Sequence, residues 1–335
     1  MASSAEIGVG VIGLGFMGRT HIGCYASVAR AGLPCRLVAV CDADETRLTG
    51  EVAVAGNLET GAKAERLFDP REVKGYQEAN GILADPRVNL VSICTHTDTH
   101  VDLAIAALEA GKHVLVEKPV ALKSADVKRL AAAARAAKTL CMPAMCIRFW
   151  PGWDWLYARV KDGSLGRVRS ATFTRLGSGP TWSSEFYRDE TKSGGALVDL
   201  HIHDADFVFY CFGRPRAVSS AGGVQHLTTL YQYGTGPAHV AAEGAWDLAP
   251  GAKYRMHFLV NFEKASVEWD LYWKPRLRVF WPDRVEEVDV GEGAGYEAEV
   301  KHLVSRIAQG RRDLNATMDE AVVVAEMLEA ERRSF

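Results

Sequence analysis

Ile7-Gly8-Val9-Gly10-Val11-Ile12-Gly13-Leu14-Gly15-Phe16-Met17-Gly18 decides the reading of this chain. A continuous apolar run leads into three glycines spaced G-x-G-x-x-G, and a helical stretch over 17–31 follows. Such a run reads as a strand buried on both faces of a parallel sheet. Gly13 permits the tight turn, Gly15 lets the backbone approach a pyrophosphate, and Gly18 lets helix and strand pack closely. Phe16 and Met17 open the helix, where free N–H groups and the dipole favour an anion. The pattern alone also marks plain turns. The strand before it and the helix after it make it a dinucleotide fingerprint.

Working outward, the strand over 36–41 ends at Asp42, close to the acidic position that accepts hydrogen bonds from the adenosine ribose. Neither Ala43 nor Asp44 offers a cation for a 2′-phosphate, so NAD is expected over NADP. Asp42 and Asp44 could equally cap the next helix. After the strand over 90–94 comes Thr95-His96-Thr97-Asp98-Thr99-His100. Thr95, His96, Thr97 and His100 stand where short polar groups reach a nicotinamide ribose, while Thr97 or Asp98 could instead cap a helix. The strand His113–Val116 runs into Glu117-Lys118-Pro119. Ligands of open α/β sheets bind outside the carboxyl ends of the strands, so Glu117 and Lys118 face the cofactor there. Pro119 fixes the turn and admits a cis bond. The bland alternative is a solvated lysine beside a weak exposed ion pair.

The 335 residues suggest two domains, with the apolar and charged fractions of an ordinary globular protein. A net charge of −3 gives no basic field for nucleic acid or an anionic membrane. The seven cysteines are odd in number and scattered, with no zinc spacing, which favours a reducing cytoplasm. The apolar start lacks a cationic flank and reads as a strand, not a signal peptide, and no run reaches membrane length.

Residues 1–145 alternate strands with helices over 98–110 and 124–137, as a dinucleotide-binding parallel sheet requires. Residues 45–84 form an excursion in which Gly56-Asn57-Leu58-Glu59-Thr60-Gly61 reads as a loop. Residues 146–335 read as a second α/β domain on an open-faced, mostly antiparallel sheet. Its strands lie over 167–176, 217–224, 239–246, Arg255–Phe262, 266–269 and 277–281, with one strong helix near Gly195 and closing helices over 296–309 and 319–332. The last helix is expected against the first domain. The aromatic stretches Leu271-Tyr272-Trp273 and Val279-Phe280-Trp281 suggest strands of a homo-oligomer interface.

Asp199-Leu200-His201-Ile202-His203-Asp204 is the densest polar constellation. Asp199 and His203, four apart, would share one face of a continuous helix, and an imidazole near a carboxylate can accept a proton. A cap for Asp199 and a core role for His203 remain open. Metal is not expected, because His201 and His203 diverge on a helix by about 200°.

In order and spacing these motifs resemble the Gfo/Idh/MocA family, the glucose–fructose oxidoreductase and inositol dehydrogenase group. The resemblance runs from G-x-G-x-x-G through Glu117-Lys118-Pro119, Arg148-Phe149-x-Pro151, Gly194-Gly195, Asp199-x-x-x-His203 and Gly295-Tyr296-x-x-Glu299. It implies a Rossmann doubly wound domain followed by an α/β domain whose open sheet forms subunit contacts. It also implies an NAD(P)-dependent oxidoreductase acting on a sugar, inositol or related polyol. Lys118, Asp199 and His203 are then the catalytic set, with Arg148 also among the substrate-binding residues. Departures lie at His96 and Asp98, where members often carry Pro and Asn, and at His201, where many have Gly. Two other functions stay open: an NAD-dependent glycoside hydrolase or lyase using transient oxidation, and a non-catalytic dinucleotide sensor.

Overall fold

The run Ile7–Ile12 is a strand, β1, with every residue buried. Beside it lie β2 (Cys35–Cys41), β3 (Lys74–Tyr76), β4 (Leu90–Ile93), β5 (His113–Val116) and β6 (Cys141–Pro143). They form a parallel sheet in the order β3-β2-β1-β4-β5-β6. The chain order reverses between β1 and β4, the topological switch point beside which dinucleotides bind. The crossovers carry helices α1 (Phe16–Arg30), α2 (Ala79–Ala84), α3 (His100–Glu109) and α4 (Ser124–Ala136). The computed structural model describes residues 6–51, 66–180, 186–187 and 189–335. The expected loop Gly56-Asn57-Leu58-Glu59-Thr60-Gly61 lies outside them. The described residues of that excursion include a 3-10 turn, Glu45–Thr49, with β3 and α2, elements too short to show a periodicity.

The chain divides into two compact units, Met1–Cys146 with Ala294–Val322, and Ile147–Gly293 with Val323–Phe335. In the first, the helix Gly295–Ala308 packs along α1. The closing helix Met318–Arg333 therefore begins in the first unit and ends in the second. Thr317 and Glu320 start it with a reciprocal capping box: the Thr317 N–H donates to Glu320 Oε2 at 2.9 Å, and the Glu320 N–H to Thr317 Oγ1 at 3.2 Å.

The second unit is built on one sheet of eight strands among the described residues. These are β7 (Val168–Leu176), β8 (Ala217–Gly223), β9 (His226–Gln232), β10 (His239–Ala245), β11 (Arg255–Phe262), β12 (Ser266–Asp270), β13 (Leu277–Phe280) and β14 (Val285–Val288). Their order is β14-β13-β12-β11-β7-β10-β9-β8, antiparallel except between β7 and β10. Alternation sets the two faces. Ala171, Phe173 and Arg175 of β7 are buried, whereas Thr172 and Thr174 are half-buried on the other face. The buried face centres on Trp153, whose ring lies 4.9 Å from Phe207, 5.1 Å from Phe258 and 5.9 Å from Trp269. Aromatic contacts at these spacings strengthen a core beyond simple area burial.

Several expectations need correction here. The helix α5 (Trp153–Asp162) was not anticipated, because only Trp153 and Leu156 of its face are buried and no stripe shows. The strand β9 went unread because Thr229 interrupts its inward side between Leu227 and Tyr231. Leu271-Tyr272-Trp273 is a turn following β12, not a strand. The single helix near Gly195 is broken into Glu190–Ser193, Gly195–Asp199 and Ile202–Phe212.

Candidate functional site

The carboxyl edge of the first sheet is built by the glycine turn. Gly13 has φ +87°, and a Cβ there would stand 2.6 Å from the Cys94 carbonyl oxygen. At Gly18 a Cβ would lie 1.8 Å from the Gly13 carbonyl oxygen. Both positions therefore exclude any side chain. Gly15 differs, since a Cβ would meet nothing within 4 Å, leaving open space before the helix. Gly15 is also the N-cap of α1, with no side-chain cap and no acidic residue in the first turn of Phe16, Met17 and Gly18. The N–H groups of an uncapped helix start need an acceptor, and a pyrophosphate is a fitting one.

Asp42 lies where the sequence placed it. Its Oδ2 accepts the Leu14 N–H of the glycine turn at 2.7 Å, and its Oδ1 accepts the Asp44 N–H at 2.9 Å. Asp44, not Asp42, caps the following 3-10 turn, through the Thr46 N–H. Ala43 and Asp44 bring no cation, but one from further along the chain stands beside Asp42. Arg47 Nη1 is 3.4 Å from its Oδ2.

Behind Lys118 stands a buried relay that sequence reasoning missed. Glu117 is 5% exposed, so the weak surface ion pair is excluded. Its Oε2 accepts the Lys118 backbone N–H at 3.0 Å, and its Oε1 lies 3.0 Å from His21 Nε2. His21 Nδ1 reaches Ser92 Oγ at 3.2 Å, and Tyr25 Oη lies 2.8 Å from the same hydroxyl. Burial pushes the Tyr25 phenol well up, so it stays a neutral hydrogen-bonding group. The available signal was a polar residue within the apolar stripe of α1, since Gly18, His21, Ile22, Tyr25 and Val28 are its buried residues.

Pro119 follows Lys118 through a cis peptide bond. Its carbonyl is 2.9 Å from His100 Nδ1, while His100 Nε2 is 3.0 Å from the Thr95 carbonyl. His100 thus ties the turn after β4 to the turn after β5. Both partners are acceptors, and a neutral ring can donate to only one of them. Burial, the larger effect, lowers the His100 pKa against the pull of the two carbonyls. Thr97 is buried and His96 exposed, and neither Thr97 nor Asp98 caps α3. Thr95 Oγ1 meets Thr99 Oγ1 at 2.6 Å.

The second unit carries the other expected residues. Asp199 Oδ2 accepts the Trp246 indole N–H at 3.3 Å. The shared face expected for Asp199 and His203 does not survive intact. One helix ends at Asp199 and the next starts at Ile202, with the His201 N–H reaching back five residues to the Ala196 carbonyl. His203 is half-buried in the first turn of the second helix. Among the described residues no cluster of three or more His, Cys, Asp or Glu could hold a metal ion.

Arg148 is buried beside a carboxylate. Its guanidinium is bidentate to Asp206, at 2.9 and 2.6 Å, and both side chains are 1% exposed. The Tyr210 ring covers it, 4.4 Å from Cζ to centroid. The pair braces the second unit from within.

His201 has a partner no local pattern could reveal. Its Nε2 lies 3.0 Å from Glu331 Oε2 and 3.1 Å from Tyr231 Oη, all of it buried. Burial, the largest single effect, lowers the His201 pKa, but the Glu331 carboxylate together with Asp204 outweighs it and the net shift is upward. A histidine raised on folding contributes stability that is full below its unfolded pKa of about 6.5 and lost as pH climbs through the raised value. Thermal melts should therefore show stability falling above about pH 6.5, with a flatter profile in Glu331→Gln. Equal slopes in both proteins would remove the ion pair from the account.

Comparison with known proteins now bears on the site. The profile described as "Oxidoreductase family, NAD-binding Rossmann fold", of the Gfo/Idh/MocA family, matches residues 7–145, and that family's C-terminal-domain profile matches 153–277. The chain belongs to the Gfo/Idh/MocA family. Levoglucosan dehydrogenase of Pseudarthrobacter phenanthrenivorans is 29% identical over 226 residues, 64% of this chain and 53% of the relative. Myo-inositol 2-dehydrogenase of Thermotoga maritima is 30% identical over 205 residues, 61% of this chain and 54% of the relative. The chain thus spans about half the length of these two curated members of the Gfo/Idh/MocA family. A solved structure of levoglucosan dehydrogenase, in complex with NADH and L-sorbose, aligns with TM-score 0.82 at 23% identity, covering 98% of this chain and 96% of that one. At that identity the likeness is one of fold.

Proposed function

We propose that this member of the family is an NAD-dependent dehydrogenase or reductase, acting between a secondary hydroxyl and a ketone of a sugar, inositol or related polyol. The observation that carries the proposal is the sheet edge of the first unit. There an uncapped glycine-rich helix start, a fixed Asp42 and a braced Lys118 lie on one line of parallel strand ends. The nicotinamide, when bound, supplies the hydride acceptor or donor. Lys118 donates a hydrogen bond to the reacting oxygen and stabilises negative charge developing on it. His203, with Asp199, takes the role of proton acceptor. The substrate class follows the relatives named above, which are levoglucosan and inositol dehydrogenases.

A panel of sugars and inositols incubated with NAD and the protein tests this. Steady accumulation of NADH supports a dehydrogenase. Product formation with no net NADH points instead to the redox-cycling hydrolase or lyase.

The seven cysteines, none of them in a disulfide, fit a reducing compartment such as the cytoplasm, and no helix among the described residues is long and apolar enough to cross a membrane. We also assign the half-exposed face of the second sheet, with Thr172, Thr174, Leu259 and Phe280, to contact with a second copy of the chain. Tyr272, 54% exposed, and Leu230, 42% exposed, add apolar surface to the same unit. Light scattering at micromolar concentration should give a mass of two or more chains. A monomer would end that assignment.

A further inference from the structure

Two adjacent residues, Glu331 and Arg332, hold both ends of the segment that carries Asp199. They lie in the last turn of the helix Met318–Arg333, and they and their partners belong to the second unit. Arg332 donates from Nη2 to the Gly194 carbonyl at 3.2 Å, just before the short helix Gly195–Asp199 begins. That helix start is also fixed by the Val224 carbonyl, which accepts the Leu197 N–H at 2.9 Å. At the far end Glu331 Oε2 lies 3.0 Å from His201 Nε2, with both side chains fully buried. Glu331 is itself clamped by β8 and β9. Its Oε2 accepts the Thr229 hydroxyl at 3.2 Å, and Ser220 Oγ lies 2.8 Å from that hydroxyl. The Ser220 N–H donates to Ser334 Oγ at 2.9 Å, and the Ser334 hydroxyl donates to the Glu331 carbonyl at 2.8 Å. His201 stands in the break between two helices, two residues after Asp199 and two before His203. On the other side of His203, Asp204 takes the Arg175 guanidinium in a buried bidentate pair at 2.8 and 3.1 Å. His203 therefore sits between two buried ionic ties.

We infer that Glu331 and Arg332 are positioning residues for the proposed reaction: they fix the break at His201 and so hold Asp199 and His203 in the geometry that proton transfer needs. The inference rests on the reading of those two residues as the proton-accepting pair and deepens it. A proton acceptor must stand within about 2.6–3.2 Å of the atom it serves, and a misplacement of about 1 Å can lower the rate about a hundred-fold. Where the helical register slips, the regular ladder of hydrogen bonds no longer sets the angle between the two halves. The Glu331 carboxylate sets it instead, because swinging the break would part a buried pair. Asp204 with Arg175 still secures the other side of His203, so removing Glu331 should lower the rate nearer about tenfold than a hundred-fold.

Steady-state kinetics test it, on a polyol of the panel that yields NADH, beside NADH titrations and melts that give the folded fraction at the assay temperature. Glu331→Ala should lower kcat about tenfold and Arg332→Ala about fivefold, with KM and NADH affinity within about threefold of wild type. Glu331→Gln keeps an acceptor for the His201 N–H and should return kcat to within about threefold of wild type. Arg332→Lys keeps a donor for the Gly194 carbonyl and should recover likewise. Arg332 is exposed, so its variants carry the test should Glu331→Ala fail to fold. Near-normal turnover in either folded alanine variant would overturn the inference, as would a loss that follows KM or the unfolded fraction. So would a Glu331→Gln as slow as Glu331→Ala. In each of these cases a slow His203→Ala spares the acid–base reading. Near-normal turnover in His203→Ala would overturn that reading and this inference with it, and no NADH from any polyol of the panel would overturn both.

Discussion

Lys118→Ala is expected to lower turnover at least about a hundred-fold, the lower end of the loss when a positioned acid–base group is removed, while affinity for NAD stays within a few-fold. The reason is a division of labour between backbone and side chain. The backbone around Lys118 is pinned on both sides. Its own N–H is held by Glu117, which leans on His21, Ser92 and Tyr25, and the next carbonyl, that of Pro119, meets His100. A lysine launched from so fixed a point delivers its ammonium at little reorganisation cost, which is what stabilising a developing alkoxide requires. None of those braces depends on the ammonium, so its removal leaves the glycine turn and Asp42 intact for binding. Steady-state kinetics on an active polyol, beside a titration with NADH, check both halves. Near-normal turnover would reduce Lys118 to a solvated cation.

Asp206→Ala is expected to lower stability by about 3–5 kcal/mol, because it removes the bidentate carboxylate from the Arg148 guanidinium in the core of the second unit. The loss arises less from the missing attraction than from a buried charge left without its bidentate partner. Covering by the Tyr210 ring cannot replace it, since a cation–π contact contributes about 0.5–2 kcal/mol. Chemical denaturation reads the effect. If Arg148 bound substrate instead, Asp206→Ala would move KM and leave the denaturation midpoint in place.

What the sequence disclosed, and what it hid, follows from how far each feature reaches along the chain. The parallel sheet was legible because strands buried on both faces are almost wholly apolar, as Ile7–Ile12 of β1 is. The glycine turn was legible because its three positions act within six residues of one another. Glu117-Lys118-Pro119 was legible because it follows β5 directly. The hidden features are pairings across distance: Arg148 with Asp206, 58 residues on, and His21 with Glu117, 96 residues on. His201 finds Glu331 only after the chain has passed through β8 to β14. Arg47 was missed for a smaller reason. A 3-10 turn over Glu45–Thr49 folds it back toward Asp42, and reading only the next two residues could not show that. The break at Leu200 and His201 escaped because both residues keep helical backbone angles while the hydrogen-bonding register slips.

The central claim is that hydride passes between a carbinol carbon of a polyol and the nicotinamide at this sheet edge. The most direct measurement uses a polyol that yields NADH with this protein, carrying deuterium at the carbon that is oxidised. The account predicts deuterium in the NADH recovered after a single turnover, and no detectable transfer on the same timescale with Lys118→Ala. Deuterium retained in the product or released to water, with none in NADH, would contradict it.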